Sequence, residues 1–219
     1  MFKQLHIDAT LDYLKADSEI NLGYLVLKRL VDVLAVVLSA PLWLPLFGLI
    51  ALVVRFSSDG PALFKQTRVG KDGVPFTIYK FRSMYLHAPS DMPTHLLDDA
   101  QSLITPVGHY LRKYCLDELP QLFNVFKGEL TLVGPRPALP TQTDLLALRQ
   151  RSGAAELVPG LTGLAQITGR DAITIEEKAA YDGAYYQQMG AYYDLSILAW
   201  TAFVVFHGHG FVEGKQTHD

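Results

Sequence analysis

Two adjacent carboxylates, Asp117 and Glu118, are the residues of this 219-residue chain that are best placed to do chemistry. Pro120 and a run of apolar residues at helical spacing follow them, which predicts a helix that begins near Asp117 and ends at Gly128. Proline is tolerated in a first helical turn because the amides there have no intrahelical acceptor. We therefore expect Asp117 to lie at or near the N-cap.

A helix N-terminus changes what an aspartate can do. Its free amides and partial positive charge lower a carboxylate pKa and attract phosphate. Asp117 is therefore expected to be ionised beside an anion site, where it is a candidate nucleophile. Neighbouring helical residues point about 100° apart, so Glu118 is expected to have a separate role. The alternative is purely structural: Asp117 caps the helix and Glu118 complements its dipole.

Basic residues that could complete a phosphate site lie on both sides of the acidic pair. Arg112 precedes Asp117 by five residues. Arg136 lies between Pro135 and Pro137, which restrict the backbone and fix the direction of the guanidinium. The pattern therefore indicates two cations near the pair.

A second source of cations is the segment 62–84, which predicts a β-hairpin around a Gly-Lys-Asp-Gly turn. Because side chains alternate along a strand, Lys80 and Arg82 would extend from the same face. This would aim two cations at one end of the hairpin, although a solvated strand end has the same pattern.

The elements that position these residues include an uncharged apolar segment, residues 33–54. Twenty-two helical residues at about 1.5 Å each can cross a hydrocarbon layer of roughly 30 Å. Pro41 and Pro45 each remove a helical hydrogen bond, which predicts a sharp bend with Ser39 as a donor to the freed carbonyls. We expect a re-entrant helix, break, helix hairpin, with a single spanning helix as the alternative.

The charges that flank this segment favour the re-entrant form. Lys28 and Arg29 precede it, and Arg55 follows it. Positive residues at the ends of a membrane segment tend to stay on the cytoplasmic side. Both ends are therefore expected in the cytoplasm.

The composition excludes several classes of protein. A net charge of −3 and a pI near 6.1 give no electrostatic case for binding nucleic acid. The single cysteine, Cys115, cannot form an intramolecular disulfide, so the folded part is expected in a reducing compartment. The length suits one substantial domain with an appendage.

Five ordered blocks resemble the bacterial sugar transferases, specifically the small monotopic polyprenyl-phosphate phosphoglycosyl transferases that initiate glycoconjugate and exopolysaccharide assembly. The resemblance covers about residues 28–206. Four blocks are KRLVD (28–32), GPALFKQTRVGKDGVPFTIYKFRSM (60–84), LRKYCLDELPQLFNVFKGELTLVGPRP (111–137) and PGLTGLAQITGRD (159–171), and the fifth is the proline-broken apolar segment.

The resemblance implies transfer of a sugar 1-phosphate from a nucleoside diphosphate sugar, typically a UDP-sugar, to undecaprenyl phosphate, with Mg²⁺ and release of UMP. It implies that Asp117 is the nucleophile and a metal ligand, and that Glu118 assists it. The residues that it implies for phosphate binding are Lys80, Arg82, Arg112, Arg136 and Arg170.

The expected fold is α/β, mainly helical with a short β-hairpin. An amphipathic lead-in (1–27) and the re-entrant hairpin (28–56) would precede one compact cytosolic catalytic domain (57–219). The apolar segment 191–206 is expected to be a helix, either lying on the membrane or buried in the core. The resemblance places the protein at the bacterial inner membrane, facing the cytoplasm, and a homodimer is possible. A silent membrane scaffold and a glycosyltransferase that releases UDP are the rival functions.

Overall fold

One long helix, α1 (Leu22–Ser57), dominates the N-terminal part of the computed structural model, which describes residues 21–89, 100–169 and 172–207. Asn21 caps it by accepting a hydrogen bond from the amide of Tyr24 at 3.1 Å. The helix is long and apolar enough to cross a membrane, by length and composition. Residues 1–20 of the predicted lead-in lie outside the described residues, and the remainder of the lead-in from Leu22 belongs to α1.

The predicted break at the two prolines is not confirmed, because α1 is continuous through Pro41 and Pro45. The Ser39 hydroxyl donates to the carbonyl of Ala35 at 2.6 Å. That carbonyl differs from those that the prolines free, which lie four residues before each proline. Ser39 therefore bonds within its own helical turn and does not replace the lost bonds.

A single stripe of α1 packs along the rest of the molecule. Val36 and Trp43 join a cluster with Val125 and Leu130. Further along, the buried residues Ile50 and Val54 join a second cluster. The opposite face exposes large apolar side chains, among them Leu38, Leu42, Leu49 and Phe56. Both halves of α1, before and after the prolines, thus contact the same body.

Charged residues near the start of α1 also hold it to that body. The guanidinium of Arg29 donates to the carbonyls of Val125 at 2.5 Å and Phe126 at 2.7 Å. The buried carboxylate of Asp32 accepts from the Thr131 hydroxyl at 2.6 Å and the Leu132 amide at 3.1 Å. Because Asp32 is only 4% exposed, these bonds compensate for its desolvation.

The predicted β-hairpin is confirmed. β1 (Leu63–Val69) pairs antiparallel with β2 (Pro75–Phe81). A 3₁₀ turn, Lys71–Gly73, connects them, and Asp72 there adopts a left-handed conformation with φ of 53°. Aspartate tolerates that conformation better than most residues, which explains the turn signal in the sequence.

The remaining described residues are mostly helical, as predicted. The helices are α2 (Ala100–Leu103), α3 (Pro106–Lys113), α4 (Leu122–Lys127), α5 (Thr143–Arg151), α6 (Leu164–Thr168), α7 (Ile175–Gln188) and α8 (Ala191–His207), with 3₁₀ segments at Leu116–Gln121 and Ala154–Glu156. Two short strands, β3 (Thr131–Val133) and β4 (Gly160–Thr162), pair in parallel. The fold class is thus confirmed in outline, without the helix break.

The C-terminal apolar segment is a helix, α8, with two different faces. Ile197 is buried in a cluster with Val133 and Leu157. The other face exposes Tyr192, Leu195, Trp200 and Phe203. Core burial therefore describes one side of the helix, and membrane contact by the exposed side stays a prediction.

Candidate active site

A sharp reversal at Cys115 presents the acidic pair. Cys115 has φ of 55°, in the left-handed region, and separates α3 from the 3₁₀ segment Leu116–Gln121. Asp117 lies in the first turn of that segment, and the α-helix α4 follows only from Leu122. The predicted α-helix start near Asp117 is therefore wrong in detail: the first turn is 3₁₀, and Asp117 is not an N-cap.

Glu118 is the carboxylate that binds the cations directly. Its Oε1 accepts from Lys80 Nζ at 2.7 Å and from Arg136 Nη2 at 2.9 Å. Burial alone would raise the pKa of Glu118, but the charges of Arg136 and Lys80 and their hydrogen bonds outweigh it and hold the pKa well below its usual range. Glu118 is therefore ionised across the physiological pH range.

Asp117 has the opposite electrostatic environment. It is 7% exposed, and burial raises its pKa, with a further increase from the charge of Glu118. The charges of Lys80, Arg112 and Arg136 oppose these effects without reversing them. The predicted lowering of the Asp117 pKa by a helix N-terminus is therefore wrong. Burial raises the pKa of Asp117, whereas Arg136 and Lys80 lower that of Glu118, so the two pKa values differ as in sites where two carboxylates have different roles.

The hairpin brings Lys80 to the pair, and Asn124 of α4 fixes the hairpin. The Asn124 amide, which is fully buried, donates to the Thr77 carbonyl at 2.7 Å and accepts from the Tyr79 amide at 3.2 Å. These two backbone groups lie on one edge of β2, so Asn124 satisfies them as a neighbouring strand would. The residue next to this contact is Lys80, whose position is thereby set relative to Glu118.

A further cation, Arg68 of β1, was not identified from the sequence. Its charge interacts with those of Arg136 and Glu118, and burial lowers its pKa to about 10. Its Nη1 donates to the Pro137 carbonyl at 3.0 Å. The signal that could have identified it is the strand register, which pairs Arg68 with Phe76 and Phe64 with Lys80 and so places Arg68 on the Lys80 face.

Close backbone contact between β3 and β4 positions Arg136. The Gly134 amide donates to the Thr162 carbonyl, and the Gly160 amide donates to the Pro135 carbonyl, both at 2.8 Å. A Cβ atom on Gly160 would lie 2.1 Å from the Gly134 nitrogen, so this contact requires glycine. The loop that carries Arg136 is thus held by its backbone.

The charge of Arg112 acts on Asp117, whereas its predicted phosphate contact stays a prediction. Its Nε is buried and has no hydrogen-bond partner among the residues that the structure describes. Arg170 lies outside the described residues, so its predicted phosphate contact stays a prediction.

The structure places Arg82 away from the acidic pair. Its guanidinium donates to the carbonyls of Asp59 at 2.5 Å, Ser58 at 2.7 Å and Val54 at 3.3 Å, at the C-terminal end of α1. Gly60 leaves room for it, because a Cβ there would lie 2.2 Å from Nη1. The alternation of side chains that predicted a shared face for Lys80 and Arg82 ends with β2 at Phe81. Arg82 instead caps the C-terminal end of α1.

The donor set at the pair suits Mg²⁺ better than a softer metal. Within the described ranges, no group of three or more His, Cys, Asp or Glu side chains could hold a metal ion alone. Mg²⁺ usually binds one or two carboxylates and completes its shell with substrate phosphates and water. Glu118 is engaged by Lys80 and Arg136, which leaves Asp117 as the candidate ligand.

Known proteins resemble this chain over most of its length. The sequence profile of the bacterial sugar transferase family matches residues 23–208. The chain is 42% identical over 177 residues to the uncharacterized sugar transferase EpsL of Bacillus subtilis, which covers 81% of this chain and 86% of that protein. It is also 42% identical over 183 residues, or 78% of this chain, to the UDP-glucose:undecaprenyl-phosphate glucose-1-phosphate transferase of Caulobacter vibrioides.

The extent of the match differs between these relatives. The match covers 66% of the Caulobacter protein. A Klebsiella pneumoniae protein of the same name is 38% identical, and the match covers 85% of this chain and 42% of that protein. Several relatives are named as transferases that use undecaprenyl phosphate, which confirms the expectation of a transferase enzyme. The family profile spans most of the chain, including both carboxylates and the cations around them, and the chain belongs to the bacterial sugar transferase family.

Proposed function

We propose that this protein transfers a sugar 1-phosphate from a UDP-sugar to undecaprenyl phosphate and releases UMP. The observation that carries the proposal is the buried Asp117 beside Glu118, which is itself ion-paired to Lys80 and Arg136. The names of the relatives supply the substrate classes. The acidic pair supplies a nucleophile, and its cations supply the means to bind phosphate.

The reaction proceeds in two displacements on one phosphorus. An Asp117 carboxylate oxygen attacks the phosphorus that carries the sugar, and the bond from that phosphorus to the bridging oxygen breaks, so UMP leaves. A phosphate oxygen of undecaprenyl phosphate then attacks the same phosphorus and breaks its bond to Asp117. The products are a polyprenyl diphosphate sugar and the regenerated carboxylate.

The basic residues make both displacements possible between negatively charged groups. Lys80 and Arg136 already bind an anion, Glu118, and can bind phosphate oxygens from the same positions. Arg112 adds positive charge next to Asp117. Mg²⁺, held by Asp117 and substrate phosphates, would supply further charge neutralisation.

Replacement of the nucleophile tests this proposal most directly. Asp117→Asn should abolish UMP release from every UDP-sugar while the protein inserts and melts like the wild type. Mass spectrometry of wild-type protein incubated with donor alone should detect one added sugar phosphate, absent from Asp117→Asn. Full turnover by Asp117→Asn would refute the assignment.

The released nucleotide separates this function from its rivals. Purified protein in lipid discs would receive undecaprenyl phosphate, Mg²⁺ and a panel of UDP-sugars, with UMP and UDP resolved. UDP as the product would indicate a glycosyltransferase. No nucleotide from any donor would favour the scaffold. The donor that gives UMP would identify the sugar, and the homodimer stays a prediction.

We also propose that both ends of α1 lie on the cytoplasmic side of the inner membrane, with the helix inserted in one leaflet. Arg29 near its start and Val54 near its end both contact the catalytic body, through α4 and Arg82 respectively. A straight crossing would separate those ends by the full bilayer, roughly 30 Å of hydrocarbon. The outward apolar face of α1 suits contact with lipid.

Thiol labelling tests this topology. Single cysteines at the exposed positions Leu22 and Ser57, in a background with Cys115→Ser, should react with a membrane-impermeant maleimide only after the inner membrane is opened. Labelling of one position in intact spheroplasts would show a spanning helix.

A further inference from the structure

A cavity of about 250 Å³ lies between the active-site segment and α8. Most of its lining is aliphatic, with Leu119, Leu122 and Leu132 on one side and Ile167 and Leu198 on the other. No aromatic side chain lines it among the described residues. Its surface therefore suits a flexible hydrocarbon better than a nucleobase, for which a ring to stack against is usual.

The cavity opens directly onto the candidate active site. Glu118 and Arg136 form part of its wall. The Arg136 side chain is 45% exposed, so its guanidinium can reach a second anion besides Glu118. An occupant of the cavity would therefore have its hydrocarbon among leucines and its polar end beside the cation of the catalytic cluster.

Gln166 of α6 is a further polar residue of the cavity wall. It is 8% exposed, and neither its Oε1 nor its Nε2 has a hydrogen-bond partner among the described residues. A buried polar group left unpaired costs about 1–3 kcal/mol. A ligand that carries hydrogen-bonding atoms at one end would compensate for that cost, whereas a pure hydrocarbon would not.

The far wall of the cavity belongs to α8, whose other face is exposed and apolar. Leu198, Thr201 and Val205 line the cavity, whereas Trp200 and Phe203 between them face outward. Exposed aromatic residues of this kind are typical of a membrane interface. A chain that leaves the cavity past α8 would thus pass directly to the lipid.

We propose that this cavity binds the first isoprene units of the polyprenyl phosphate acceptor, with the phosphate at Arg136 and Gln166. The assignment rests on the proposed function for the identity of the acceptor. The volume is below the roughly 300–1,000 Å³ of pockets that enclose a whole drug-sized ligand, so only the start of a long chain fits. The rest of the chain stays in the bilayer.

Photo-crosslinking tests the assignment without requiring turnover. Wild-type protein in lipid discs would be irradiated with farnesyl phosphate that carries a diazirine on its first isoprene unit. We expect label on peptides that contain Leu119 to Leu122 or Leu198 to Val205, and competition by undecaprenyl phosphate but not by UDP. Label confined to the outer face of α1, or competition by UDP alone, would overturn the proposal, and the second result would assign the cavity to the nucleotide.

Two matched tryptophan variants add a test of occupancy. Leu198→Trp would fill the cavity, whereas Leu195→Trp puts the same side chain on the exposed face of α8, where residue 195 is 66% exposed. Labelling should fall at least tenfold in Leu198→Trp and stay within twofold of wild type in Leu195→Trp. Equal labelling of both variants, with both melting like the wild type, would contradict the proposal.

The two proposals can fail separately. Absence of UMP release together with specific labelling of the cavity would reject the reaction and keep the lipid site. UMP release with donor and full chain acceptor, without any label in the cavity, would keep the reaction and reject the site. Because peptide mapping uses the wild-type protein, a misfolded variant does not affect this decision.

Discussion

Arg82→Met separates a structural arginine from a phosphate-binding one. The resemblance to sugar transferases implies that Arg82 binds phosphate. In the structure its guanidinium donates to carbonyls at the end of α1. Methionine keeps an unbranched side chain of moderate length and removes every donor. The variant should therefore lose stability and retain its active-site chemistry.

The expected loss follows from the individual bonds. Hydrogen bonds to a charged group contribute about 1.5–3 kcal/mol each. The carbonyls of Ser58 and Asp59 lie at half-buried and exposed residues, where water can replace the guanidinium. Val54 is 1% exposed, so its carbonyl is the least accessible to water. Counting one to two effective bonds gives about 3 kcal/mol, or a fall in Tm of about 6–12 °C for a chain of this size.

Arg136→Met is the matched control. Its side chain is 45% exposed, but its partner Glu118 is buried and would keep only Lys80, so the variant should also lose some stability. Its turnover should fall at least about 100-fold, because a cation that faces the reacting phosphate is lost. Thermal unfolding in detergent and UMP release per folded molecule measure the two effects. An unchanged Tm for Arg82→Met, with a raised KM for the donor, would refute the structural interpretation.

Two further predictions concern the acidic pair and the loop that holds Arg136. The charge of Glu118 raises the pKa of Asp117. Glu118→Gln should therefore move the acid limb of the pH profile of single-turnover UMP release to lower pH, whatever its effect on the maximal rate. A shift of the acid limb to higher pH would contradict this electrostatic interpretation. Gly160→Ala would place a Cβ 2.1 Å from the Gly134 nitrogen, so β3 and β4 should separate and turnover should fall at least tenfold. Turnover equal to that of the wild type would show that the backbone adapts to the added Cβ.

Local signals in the sequence predicted local structure well. The Gly-Lys-Asp-Gly turn fixes the hairpin because Asp72 can adopt positive φ, and the register follows from the turn. The acidic pair was identified from local signals, Pro120 and the apolar spacing after it, and Arg136 from its flanking prolines. The roles of Asn124 and Arg68 were missed, since each depends on contact with a distant strand or loop.

The continuous course of α1 also depends on contacts between distant residues. Pro41 and Pro45 predict a break from local geometry alone. In the structure, Val36 before them and Ile50 after them both lie in clusters on the same body, and Trp43 between them is buried. Burial along the whole stripe stabilises a helical course that the prolines locally oppose.

The pKa values of the acidic pair could not be predicted from a helix terminus, because burial and cations from several segments of the chain determine them. Four basic side chains, Lys80, Arg68, Arg112 and Arg136, interact with the two carboxyls, so even with both ionised two positive charges remain in excess. In a buried site such an excess is unfavourable unless an anion binds, and charges there interact more strongly than in water. A diphosphate would offset the excess and could compete with Glu118 for its two cations. The excess of positive charge around Asp117 therefore favours the ligand that Asp117 is proposed to attack.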